Sequence, residues 1–302
     1  MIKVIGNQKR QFGVVALLCL TLLRCETAPK SDGVTEEMPV AQQINNDVES
    51  KSSGSSAVID TKSTSKAEDQ PQSPQHAAAS SKASGLLDEA IRSQSDEKIK
   101  EAAEKLLSVN GADVKAMNAL AMYYYKKGRF DAAKYLLSKA VATNPNVGPV
   151  YSNLGIVHLA LDEEREAVRS FKKAVALDES DAVSSANLGA IYAQNYDYTK
   201  AVLVLETAVR KGIKDAKVLN NYGIALMGTG KFEMAEDIFK QALKDSNSQK
   251  ETLFNYAILL IDHLVKKQEG MDVLNRLKFI GPSEEMKNKI KDLENKAKAG
   301  VQ

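Results

Sequence analysis

One spacing governs the chain from Val114 onward. Val114, Gly148, Ala182, Ala216 and Lys250 head successive blocks of constant length, and the eighth place of each block holds a small residue: Ala121, Gly155, Gly189, Gly223 and Ala257. The period is 34. Twelve residues further on stand Ala133, Ala167, Ala201 and Ala235, and seven beyond those come Ala140, Ala174, Ala208 and Ala242. Between these last two rows lies a large apolar residue, Leu137, Phe171, Leu205 or Phe239. A unit this short cannot bury its own apolar side and must stack on copies of itself. The spacing predicts two antiparallel helices per block that cross closely. The small eighth residue is expected to meet the alanine at the twentieth place, with the large twenty-fourth filling the core beside the crossing. Gly inside a helix costs about 1 kcal/mol relative to Ala, so three such glycines imply a crossing without room for a Cβ. The turns fall at Lys127-Gly128-Arg129, Asp162-Glu163, Tyr196-Asp197 and Thr229-Gly230-Lys231.

The pattern resembles the tetratricopeptide repeat (TPR), a helix-turn-helix unit, over roughly residues 80 to 280. The resemblance implies an all-α TPR solenoid with residues 114–281 as its repeats. Gly270, Leu274 and Leu277 keep the frame only after one inserted residue. Before Val114, the residues Leu86, Leu87, Ile99, Ala103 and Leu106 hold the frame without the small-residue signature, so 81–113 reads as a degenerate N-terminal repeat. The total is about six helix pairs. Gly281-Pro282 breaks the last helix, and 282–302 reads as a capping helix and tail. Ser283 is its cap, Glu284 and Glu285 sit in the positive first turn, and Met286, Ile290 and Leu293 form its apolar stripe.

The N-terminus carries a different signal. Lys3, Lys9 and Arg10 precede an uncharged, largely apolar run from Phe12 to Leu23, which has the length of a secretory signal core and falls short of the ~20 residues that span a bilayer. The run ends in Leu22-Leu23-Arg24-Cys25, which resembles the lipobox of bacterial lipoproteins, with Arg24 where that motif has Gly, Ala or Ser. The resemblance implies a signal peptide at 1–24 and lipidation of Cys25. An uncleaved anchor and cleavage without lipid are the alternatives. Cleavage before Cys25 would remove four basic residues and no acid, turning the net charge from +2 to −2.

Residues 25–80 form a tract rich in Ser, Gln and Pro, without aromatics and with few branched apolar residues. Such a composition cannot bury enough surface to offset the entropy of ordering, so a disordered tether is expected. A coil of roughly 55 residues spans about 40 Å and a fully stretched one ~190 Å.

The first helix of each repeat lines the inner side of a solenoid, where extended peptides or helices bind. Asn153, Asn187, Asn221 and Asn255 recur there once per block, while the first block has Asn118 one place early. In some TPR proteins such asparagines form a ladder that hydrogen-bonds a peptide backbone. Asn at this place also bridges neighbouring helices, and both readings stand at this stage. Side chains that could add pockets are Tyr125, Ile156, Leu159, Met227, Phe254 and Ile258. The charged clamp that some family members use for a carboxylate is missing, with Ser152, Ala186 and Phe254 at the corresponding positions.

Other chemistries find little support. Forty-one Lys and Arg against 39 Asp and Glu give no field for nucleic acid. Two Cys and three His offer neither a disulfide framework nor a zinc site. No nucleophile elbow, phosphate-binding glycine loop or HExxH motif occurs. His158 falls at a core place of its repeat, His263 near a helix end and His76 in the tether. No cofactor, small-molecule substrate or catalysis is expected.

A lipoprotein signal, a tether and about six repeats are together similar to the TPR lipoproteins of type IV pilus biogenesis and gliding motility in Gram-negative bacteria. The resemblance implies a membrane-anchored scaffold or assembly chaperone in the cell envelope, serving pilus, secretin or motility machinery. Its expected place is the outer membrane facing the periplasm, with the inner membrane as the alternative. An adaptor for peptidoglycan-remodelling enzymes and a cytoplasmic TPR scaffold are the competing readings.

Overall fold

The computed structural model describes residues 74–244 and 249–299. The stretch expected to be a signal peptide, Cys25 as the expected lipidation site and most of the expected tether lie outside the described residues. Among these residues there are thirteen α-helices and no strand. They divide at Glu179 into two compact units.

The N-terminal unit comprises α1 (Pro74–Arg92), α2 (Asp96–Val109), α3 (Val114–Lys126), α4 (Phe130–Thr143), α5 (Gly148–Ala160) and α6 (Glu164–Leu177). The C-terminal unit comprises α7 (Ala182–Gln194), α8 (Tyr198–Arg210), α9 (Ala216–Gly228), α10 (Phe232–Lys244), α11 (Lys250–Ile258), α12 (Lys267–Ile280) and α13 (Glu284–Ala299). Each unit therefore holds three helix pairs, and α13 follows the last. All five block heads read from the sequence are first residues of helices. Helix α1 begins at Pro74, inside the stretch assigned to the tether.

The starts of the helices have a local cause. Asp113, Asp181 and Asp215 stand one residue before α3, α7 and α9, and each accepts backbone N–H bonds from the first turn, satisfying donors that a helix leaves open. The turns inside the pairs are equally regular. Backbone φ is positive at Gln94, Gly128 and Asp162 in the first unit and at Tyr196, Gly230 and Val265 in the second. These positions follow the same period, except for a last step longer by one, and they include the degenerate first pair. The additional residue has a visible location. Helix α11 runs directly into a π-helical segment, Leu259–His263, and a π-bulge is how a helix absorbs one inserted residue without losing its direction.

The crossing within each pair differs from the expectation. A Cβ built on Gly155 would lie 2.6 Å from the ring of Phe171, and one on Gly223 would lie 2.6 Å from that of Phe239. On Gly189 it would overlap Leu205. The small eighth residue thus makes room for the large twenty-fourth, not for the alanine at the twentieth place. Phe171, Leu205 and Phe239 are wholly buried as a result. In the first pair Leu87, Ile99, Ala103 and Leu106 are buried as their frame requires, whereas Leu86 is exposed. In α13, Met286, Ile290 and Leu293 are buried, and Ser283 Oγ accepts the Met286 N–H at 3.3 Å.

Candidate functional site

The inner-side asparagines do not form one continuous row. In the N-terminal unit Asn153 is 0% exposed and its Nδ2 donates to Asn118 Oδ1 at 2.8 Å, tying α5 to α3. In the C-terminal unit Asn255 Nδ2 donates to Asn220 Oδ1 at 3.1 Å, tying α11 to α9. Both bridges span one position more than the period, because the acceptor comes from the place before the periodic series. Asn187 is buried and donates to Val183 O of its own helix at 2.9 Å. Asn221 stays half-exposed beside the Asn220 bridge. The two amide bridges are the neighbouring-helix reading of this position, realised once in each unit.

The proposed pocket residues separate in the same way. Ile156, Leu159, Met227 and Phe254 are buried and fill the interior instead of lining an open surface. Tyr125 is half-buried, its ring centroid 5.6 Å from that of Phe130. Ile258 is half-exposed, as is Ile224, its counterpart one block earlier.

In the C-terminal unit charge is nearly absent from the first helices of the pairs. Helix α7 has no charged residue. On α9 charge is confined to Lys217, and on α11 to Lys250 and Glu251, all within the first turn. The half-exposed strip of α9 and α11 is therefore uncharged, with amide groups from Asn220, Asn221 and Asn255 and apolar surface from Ile224 and Ile258.

Ionic contacts occupy other places. Lys134 Nζ on α4 donates to both carboxylate oxygens of Glu163 at 2.7 Å, and His158 Nδ1 on α5 lies 2.6 Å from Glu163 Oε2. Lys134 first and His158 second hold the Glu163 carboxyl below its ordinary value. The equivalent joint of the C-terminal unit has the charges exchanged. Lys266 Nζ donates to Glu236 on α10 at 2.7 and 2.9 Å, and Lys240 lies 2.8 Å from it. Burial pushes the Glu236 carboxyl up, but the two lysines outweigh it and the net shift is downward. Burial raises the Tyr222 phenol to about 12 and pushes Tyr256, which also faces Glu236, up as well. Sequence reasoning placed His158 in the core and missed its carboxylate partner, since a residue five positions ahead across a turn carries no periodic signal. Among the described residues no group of three or more His, Cys, Asp and Glu could hold a metal ion. No described helix is long and apolar enough to cross a membrane.

Helix pairs repeating with a constant period, a left-handed residue in each turn and a small residue seated under a large one define the tetratricopeptide class. Within it, the family model of the coatomer epsilon subunit matches residues 70–298, and the chain belongs to that family. No curated protein matches it in sequence. Similar solved structures include pilF of Pseudomonas aeruginosa, with a TM-score of 0.60 and 16% identity over 72% of this chain and 99% of that one. YrrB, a TPR protein with an unusual peptide-binding site, has a TM-score of 0.57 and 17% identity over 63% and 98%. The Cut9–Hcn1 complex of the APC/C is similar over 74% of this chain and 46% of the other, at 19% identity and a TM-score of 0.52.

Proposed function

We propose that the chain is a non-enzymatic scaffold or assembly chaperone of the bacterial envelope, held by lipid on Cys25 to the outer membrane and facing the periplasm. It takes an extended or helical segment of a partner protein on the inner side of its repeats. The observation that carries this reading is the strip of the C-terminal unit, where Ile224, Ile258, Asn221 and Asn255 lie half-exposed on helices without charge beyond their first turns. The Asn221 amide, beside the Asn255–Asn220 bridge, can bond a peptide backbone, and the isoleucines supply apolar area. The amides alone are insufficient, because at about 0.5–1.5 kcal/mol each they fall short of an association cost of about 4–15 kcal/mol.

Pilus, secretin or gliding-motility machinery is the partner class this reading favours. Nearly the whole of pilF, 99% of it, is matched by 72% of this chain, which supports a head of that size. A coatomer epsilon subunit is by its name part of an assembly, and a scaffold role agrees with it. The run Phe12–Leu23 followed by Cys25 favours the envelope over a cytoplasmic scaffold.

Cross-linking and mass spectrometry on the membrane-bound protein test the proposal. A secretin subunit or motility component should be captured. Asn221→Ala with Ile224→Ser should abolish capture while the melting temperature changes little. A parallel loss of fold would assign both residues to structure, and capture of peptidoglycan hydrolases would turn the reading to the wall-enzyme adaptor. Labelled palmitate should enter the wild type and be lost with Cys25→Ala; labelling that survives the substitution overturns the anchor.

A further inference from the structure

The amide bridges follow one offset. Each joins an Asn to the acceptor 35 residues earlier, Asn153 to Asn118 and Asn255 to Asn220. For Asn221 that place is Ala186 on α7, which is 2% exposed and has no side-chain acceptor. We propose that Ala186 keeps the Asn221 amide open to a partner, and that the strip of α9 and α11 takes an uncharged segment in the polyproline II conformation. The inference rests on the reading of that strip as a segment-binding surface.

Availability is the first argument. A bridged amide is committed to the fold, whereas Asn221 has nothing to bridge to at the Ala186 place and remains half-exposed. It can exchange water for a backbone group of a bound segment. The Asn255 bridge uses that residue's nitrogen and not its oxygen, so α11 adds an acceptor one block further on.

Spacing decides the conformation of the segment. Asn221 and Ile224 on α9 recur as Asn255 and Ile258 on α11, and all four are at least partly exposed. Packed helices lie about 8–10 Å apart. A polyproline II segment returns a side chain to the same side every third residue, about 9.3 Å along its axis. A strand does so every second residue, at about 6.6–6.8 Å, and falls out of step with the two isoleucines. An α-helix reaches them with residues seven apart, about 10.5 Å, but its backbone groups are bonded within the helix and offer nothing to Asn221. Polyproline II has no internal hydrogen bonds, so its carbonyls are open to the amide. Its conformation is also largely set before binding, which lowers the ordering cost.

Charge fixes the composition. Beyond Lys217, Lys250 and Glu251 in the first turns, α9 and α11 carry no charge. A charged side chain seated on the strip would lose hydration there without compensation. The segment that fits is uncharged, contains proline and has an aliphatic residue at every third place.

Fluorescence anisotropy on the full chain tests this with two labelled synthetic peptides of one composition of Leu, Pro and Gln. In the first, leucine stands at every third place; in the second, at every second place. The first should bind roughly tenfold or more tightly than the second. Ala186→Asn should supply the missing acceptor, raise the melting temperature and weaken binding of the first peptide roughly two- to tenfold, the worth of one net hydrogen bond. Ala186→Ser, with the residue that block 148–181 has at this place as Ser152, is the smaller second variant and should act in the same direction. A residue that only fills space would change the melting temperature and leave binding as it was. Equal affinity for the two peptides, or unchanged binding in both Ala186 variants, overturns the proposal. Failure of both peptides to bind, with partner capture still abolished by Asn221→Ala with Ile224→Ser, would remove the polyproline II assignment and keep the strip. Capture indifferent to those two substitutions would remove the strip as well.

Discussion

At Gly155, Gly189 and Gly223 a missing methyl group decides how far a neighbouring side chain can enter. Since Phe239 is wholly buried and its ring would lie 2.6 Å from a new Cβ, Gly223→Ala is expected to destabilise. Overpacking of about 1–3 kcal/mol outweighs the ~1 kcal/mol that Ala gains in a helix, and a urea titration would read the difference. Adding Phe239→Leu should recover part of it, because Ala121 already faces Leu137 at the same places. The reverse sign is expected at Val265, a β-branched residue with φ of 57° and 69% exposure. A left-handed conformation costs an L-residue about 1–2 kcal/mol, and Gly gives back part of that as entropy. Val265→Gly should therefore raise stability by roughly 0.5–1 kcal/mol, visible as a higher denaturation midpoint with an unchanged slope.

Between elements, the joint from α4 to α6 depends on a carboxylate held ionised. Glu163 has its pKa lowered from 4.5, so its contribution is complete above that value and disappears as the pH falls through the folded value. As the pH falls below 4.5 the wild type should lose stability more steeply than Glu163→Gln; identical slopes in thermal melts would refute the assignment. Glu163→Lys should weaken the joint by placing like charges together, and Lys134→Glu added to it should restore part of the loss. For groups this exposed the coupling in a double-mutant cycle should be below about 1 kcal/mol. Helix starts were readable because the period comes from packing, which acts on every repeat alike. The partner of each glycine was not, since spacing alone matches small residue to small residue and cannot show that a hole exists to be filled. The inner-side amides were legible as a row, but which neighbour each one bonds depends on a one-residue offset, Asn118 or Asn220, that only the crossing of the helices reveals.

Over the whole molecule, stability in stacked repeats is close to a sum of units and their joints, and the ends matter most. Helix α13 buries Met286, Ile290, Leu293 and Ala297. A chain ending at residue 282 should therefore show faster hydrogen exchange in α12 and lower solubility; unchanged protection there would mean that α13 closes nothing.

The exchanged polarity of the two ionic joints has a further consequence. Lys134 awaits an acid and Glu236 awaits a base, so blocks 148–181 and 250–281 are not interchangeable parts. Were they transposed, Lys134 would confront Lys266 and Glu236 would confront Glu163. Modules alike enough to share a frame thus carry addresses, and the order in which the chain strings them is written in charge.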